Sequence, residues 1–118
     1  MVRLKHRYIL FEIRECDDRP EQKDLLDRIR QSLLFNFGTA ATGHLNASLY
    51  LKYYSPRTGR GILQADRAHY RLAWAALTFL DLLDRGGGFV CALGVSGTIR
   101  KAEERLIGLD RRQMFLLA

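Results

Sequence analysis

Apolar and polar residues alternate from the start of the chain. Over residues 2–15, Ile9, Phe11 and Ile13 fall on one face of an extended segment, and Tyr8 and Leu10 share the other. Pro20 lies in a loop from Cys16 to Gln22. Leu25, Ile29 and Leu33 then recur at helical spacing, with Leu26 widening the stripe, which predicts a helix over 21–35. Asp24 and Arg28 form an i, i+4 pair with the acid first. Gly38 and the small residues 39–43 predict a break. Leu45, Ala47, Leu49, Leu51 and Tyr53 then alternate with His44, Asn46, Ser48, Tyr50, Lys52 and Tyr54, the pattern of a half-buried strand.

A turn at residues 55–61 leads into a short return strand over 62–66. A second helix is expected over 67–84. Its apolar residues form two stripes, one through Tyr70, Trp74, Leu77 and Leu80 and one through Leu72, Ala76, Phe79 and Leu83. Gly86-Gly87-Gly88 ends it. A strand over 89–99 and a helix over about 100–117 finish the chain. The order strand, helix, strand, strand, helix, strand, helix predicts an α+β fold. This is a ferredoxin-like, RRM-like sandwich with a four-stranded antiparallel sheet, two crossover helices on one face and a C-terminal helix that lies across the open sheet or reaches a partner.

The length of 118 residues suits one domain. No apolar run reaches the roughly 18 residues of a membrane span, and no apolar signal region follows the first charges, so neither a membrane nor a secretory setting is expected. Cys16 and Cys91 lack metal-ligand spacing and read as free thiols in a reduced compartment.

The net charge of +6 points to a polyanion partner, and its distribution sharpens the point. Seven of the thirteen acids lie between Glu12 and Asp27; outside that window sixteen basic residues face six acids. Arg3, Lys5 and Arg7 share one face of the first strand, where they follow a phosphate backbone or guard a sheet edge. Arg57 and Arg60 make the turn at 55–61 basic.

The stretch Val95-Ser96-Gly97-Thr98-Ile99-Arg100-Lys101 admits two readings. Two hydroxyls flank a bare backbone at a helix start, followed by two cations, which is a seat for phosphate. Alternatively the strand end packs closely on a neighbour and Thr98 caps the helix.

Catalytic chemistry is sparse. His6, His44 and His69 lack the spacing of a metal site, no phosphate-binding Gly-x-x-x-x-Gly-Lys loop is present, and there is no serine elbow. Asp81 and Asp84 read as a solvated helix end. The Arg60-Gly61 dipeptide of the third strand begins like the RNA-reading motif of this fold, but the aromatic residues that should follow in Ile62-Leu63-Gln64-Ala65 are missing. Recognition of a folded RNA through its backbone and shape is therefore expected over base stacking.

Residues 1–12, Leu51-Lys52-Tyr53-Tyr54, Thr58-Gly59-Arg60-Gly61-Ile62-Leu63 and Val95–Lys101 together resemble the processing-of-precursors subunit five family, protein subunits of ribonuclease P and ribonuclease MRP. The resemblance runs over nearly the whole chain. It implies a non-catalytic subunit of a ribonucleoprotein that removes the 5′ leader of precursor tRNA or processes precursor ribosomal RNA. It also implies that the RNA subunit does the cleavage with magnesium ions, the protein itself binding no cofactor.

The implied partners are that catalytic RNA, a larger TIM-barrel-like protein subunit and other proteins of the complex, with precursor tRNA as a further contact. The implied location is the nucleus and nucleolus. By motif, Arg3, Lys5, Arg7, Ser96, Gly97, Thr98 and Arg100 form the RNA-facing set, and His6, Lys52, Arg57, Arg60 and Lys101 complete the RNA-binding candidates. The wide apolar helix faces are the candidates for protein partners. The loops at 16–22 and 38–42 are shorter than in many eukaryotic members and the acidic tail common there is missing. That implies a compact member or segments outside these residues. A free-standing RRM-like reader of single-stranded RNA is the alternative on the same fold. A small-molecule-sensing domain is a third reading, against which the basic charge speaks.

Overall fold

The computed structural model describes residues 5–45 and 47–117. The chain runs through β1 (His6–Arg14), α1 (Gln22–Leu45), β2 (Tyr50–Ser55), β3 (Arg60–Asp66), α2 (Tyr70–Thr78), a single 3-10 turn (Leu83–Arg85), β4 (Phe89–Ser96) and α3 (Ile99–Leu117). The sheet order is β2-β3-β1-β4, and every neighbouring pair is antiparallel. This is the expected ferredoxin-like arrangement.

The period-two pattern of β1 sorts its residues between two cores. Ile9, Phe11 and Ile13 join Leu25, Ile29 and Leu33 of α1 and Ala73, Ala76 and Leu77 of α2 in the main core. On the opposite face Leu10 and Ile62 pack against Ala102 and Leu106 of α3. The last helix therefore lies across the open sheet, on β1, β3 and β4.

Several elements depart from the sequence expectation. The helical stretch α1 extends to Leu45 rather than 35, but Gly38 is non-helical (φ 85°, ψ −179°) and divides it into two segments. A positive φ favours glycine, so the break expected at Gly38 is present as a kink between two helical segments; what the sequence did not predict is that helix resumes after it. The second strand accordingly starts at Tyr50 instead of 44.

Its alternation also changes sense: Tyr54 is buried and Tyr53 is 40% exposed. The cause is a bulge. Leu51 faces Leu63 and Tyr53 faces Ile62, so Lys52 is an extra residue that flips everything after it. The second helix ends at Thr78, and Trp74 and Phe79 are left on the surface. Gly61 is required by close packing: a Cβ there would fall 2.6 Å from the Phe11 ring. Phe11 stacks on Tyr54 at 6.2 Å between ring centres. The Tyr54 hydroxyl donates to the Pro20 carbonyl at 2.8 Å.

The turn Leu83–Arg85 is tied to α1 by ions. Arg28 donates to Asp24 at 3.0 Å and to Asp84 at 2.8 Å. Arg85 donates to Asp18 at 2.8 Å and to Asp24 at 2.9 Å. The Asp24–Arg28 pair expected from spacing forms, but Asp84 is a tether between helical segments rather than a loose helix end.

Candidate nucleic-acid interface

Antiparallel pairing decides which candidate residues meet. The start of β1 lies beside the end of β3 and the end of β4: His6 pairs with Asp66 and Tyr8 with Ser96. Lys5, His6, Arg7, Ser96, Gly97, Thr98, Arg100 and Lys101 are thus gathered at one end of the sheet. Arg3 lies outside the described residues. The Arg67 N–H donates to the Lys5 carbonyl at 3.0 Å, which adds Arg67 to the same end.

The Arg7 guanidinium donates to the His6 carbonyl at 3.1 Å and lies against Gly97. Gly97 is exposed, and a Cβ there would meet nothing nearer than Arg7 Nη1 at 3.6 Å, an ordinary contact. Thr98 Oγ1 accepts the Lys101 N–H at 3.3 Å, as a helix N-cap does. The capping reading of Thr98 is therefore the geometry seen, and the cap presents Arg100 and Lys101 to solvent. Arg100 makes one i, i+4 contact with Glu104 at 3.3 Å. Both side chains are largely exposed, so water screens that pair and leaves Arg100 available. Lys5, Arg7, Arg67 and Lys101 have no carboxylate partner among the described residues.

The hairpin end differs. Arg60 and Arg14 both bond Glu12, each at 2.7 Å. Burial of Glu12 would raise its pKa, but the hydrogen bonds from Arg14 and Arg60 outweigh this and hold the carboxyl below its usual value. Arg60, with a side chain only 12% exposed, is engaged inside the sheet. Arg57 is exposed on the turn, and its carbonyl accepts the Arg19 guanidinium at 3.2 Å. β1 is 9 residues long, which separates the two ends by about 26 Å. Lys52 lies on the edge strand β2, its Nζ 5.8 Å from the Tyr50 ring centre. The candidates form one basic cluster plus three isolated positions, not a continuous surface.

Sequence reading missed Arg67 and Arg105. Arg105 is exposed on α3, and its guanidinium lies over Gly94 of β4 in space that a Cβ would occupy. Its spacing of four from Lys101 on a helix was the available signal. At the end of β3, Asp66 is held below its usual pKa, first by the Ala68 N–H and then by His69.

Away from the sheet, a groove of about 800 Å³ runs between α1 and the segment after α2. Leu34, Phe35 and Phe79 line it, with Asp24, Asp81 and Asp84 around them. Phe35 is 90% exposed. Among the described residues no cluster of His, Cys, Asp or Glu has the makings of a metal site, and no helix is long and apolar enough to cross a membrane.

A ferredoxin-like sandwich whose C-terminal helix covers the centre of the open face, with cations collected at one sheet end, defines the class of domain. Comparison with known proteins is more specific. Residues 7–107 match the model of the Rpp14/Pop5 family, and the chain belongs to that family. It is 39% identical to the ribonuclease P/MRP protein subunit POP5 of Schizosaccharomyces pombe, over 96% of this chain and 89% of that protein. It is 34% identical to the human subunit of the same name, over 99% and 77%. It is also 32% identical to ribonuclease P protein component 2 of Methanocaldococcus jannaschii, over 93% and 78%.

Proposed function

We propose that this chain is a non-catalytic protein subunit of a ribonuclease P or MRP ribonucleoprotein, which braces the catalytic RNA during 5′-leader removal from precursor tRNA or processing of precursor ribosomal RNA. The observation that carries this reading, beyond family membership, is the cluster of Lys5, Arg7, Arg67 and Lys101 at one sheet end without carboxylate partners among the described residues. Cations left unneutralised on a rigid sheet end suit a phosphate backbone, and release of RNA counterions drives such contacts. Cleavage is assigned to the RNA and its magnesium ions; the protein supplies position and charge. The groove lined by Leu34, Phe35 and Phe79 is the surface offered to the larger protein subunit. A nuclear and nucleolar location goes with the same reading.

Reconstitution tests it. The cognate RNA and the larger protein subunit, with and without this chain, are assayed for cleavage of precursor tRNA at low magnesium. Stimulation by the chain is expected, and its absence refutes the role. Sequencing the RNA retained in a pull-down separates ribonuclease P from MRP. The free-standing alternative is disfavoured by α3, because Ala102 and Leu106 occupy the central sheet face over Leu10 and Ile62, where such domains stack bases.

A further inference from the structure

The bulge in β2 has a chemical result. Tyr50 and Tyr53 are three residues apart, so plain alternation would set them on opposite faces. Instead Tyr50 faces Gln64 and Tyr53 faces Ile62, two residues apart on β3 and hence on one face. Ile62 packs under α3, so both rings stand on the open face of the sheet. The helix leaves them accessible: Tyr50 is 51% and Tyr53 40% exposed. Neither hydroxyl has a hydrogen-bond partner among the described residues. Lys52, the bulged residue itself, holds its ammonium 5.8 Å from the Tyr50 ring centre.

We propose that Tyr50, Tyr53 and Lys52 form a stacking site for an unpaired segment of RNA, on the edge strand beside α3. Two rings spaced two strand positions apart, about 7 Å, match successive bases splayed from a single strand. An adjacent ammonium serves the phosphate between them. The site is distinct from the basic sheet end, which grips backbone without regard to pairing. It rests on the reading of the chain as an RNA-bound protein but uses a different surface and a different force. It also stands in for the stacking aromatics that β3 lacks, on the part of the open face that α3 leaves uncovered.

The test uses the purified full chain with two fluorescent probes, a single-stranded octauridylate containing 5-iodouridine and a blunt RNA duplex. Tyr50→Ala and Tyr53→Ala are each expected to weaken binding of the single strand by about tenfold or more. Tyr50→Phe and Tyr53→Phe keep the ring and should stay within about twofold of the parent. Duplex binding should be unmoved by any tyrosine change. Photocrosslinks from the iodouridine should map to residues 50 and 53, a readout that needs no variant to fold.

Single-strand binding unchanged in both alanine variants overturns the proposal, as do equal losses in the phenylalanine variants or crosslinks confined to residues 96–105. Loss of protein-partner binding alone, with RNA binding intact, also overturns it. Failure of the wider reading looks different: Arg7→Ala and Lys101→Ala would then leave duplex affinity and its salt dependence unchanged.

Discussion

Two glycines mark the two ends of the sheet and behave oppositely. At the hairpin end, Gly61 lies under the Phe11 ring, and a Cβ would come within 2.6 Å of it and 2.7 Å of the Tyr53 carbonyl. At the other end, a Cβ on Gly97 would meet nothing nearer than Arg7 Nη1 at 3.6 Å, an ordinary contact. The arginines follow the same division. Arg60 and Arg14 converge on Glu12, whereas the Arg7 guanidinium has, among the described residues, only the His6 carbonyl as hydrogen-bond partner. One end spends its charge and its small residue on internal packing. The other leaves Arg7 without a carboxylate and Gly97 exposed. A net positive charge alone does not distinguish these ends; the pairing of each cation does.

Four substitutions or conditions press on this contrast. The largest effect is expected from Gly61→Val, which forces Phe11 and the β2–β3 pairing to move and should lower unfolding free energy by about 3 kcal/mol in urea titrations. Glu12→Ala comes next. It leaves the poorly exposed Arg60 without its carboxylate and should cost about 2 kcal/mol. RNA affinity should stay within about twofold, because Arg60 is a structural cation.

Acid should act on the tethered end too. The Arg28 hydrogen bond lowers the Asp84 pKa from 3.8 to about 2. A carboxyl depressed on folding stabilises the protein above its unfolded pKa and loses that contribution as pH falls through the folded one. Thermal midpoints should therefore drop between about pH 4 and pH 2, and Asp84→Asn should flatten that part of the curve. The smallest effect is expected from Gly97→Ala, within about 0.5 kcal/mol by urea titration, because its Cβ would make only ordinary contact.

Local patterns in the sequence were reliable where the force is local. The Leu25, Ile29 and Leu33 stripe is buried, Asp24 reaches Arg28, and the strand order folds into the expected sheet. The family motifs at 1–12 and 95–101 drew together residues that pairing in space also brings together, as far as residues 5–12 are described. What escaped were non-local consequences.

The Lys52 bulge exchanges Tyr53 and Tyr54 between faces, and alternation cannot reveal an inserted residue without the partner strand. Arg60 finds Glu12 across 48 positions of sequence, through a register that neither segment encodes alone. Helix resumes after the expected break at Gly38, and Leu45 at its end and Leu49 beyond it are buried in the core, a tertiary gain that the small residues 39–43 do not signal. Trp74 lay on one of two apolar stripes by period, and α2 turns its small residues Ala73 and Ala76 inward while leaving the ring outside.

If RNA phosphates meet the sheet end that carries Lys5, Arg7 and Lys101, the salt dependence of binding must report it. The direct measurement is the slope of log affinity against log salt for a structured RNA. It compares the parent, the triple variant Lys5→Ala, Arg7→Ala, Lys101→Ala, and Arg60→Ala. Each lost phosphate contact should reduce the slope by about 0.9. A loss of between two and three is expected for the triple variant and none for Arg60→Ala. An unchanged slope in the triple variant, or a loss in Arg60→Ala alone, would contradict it.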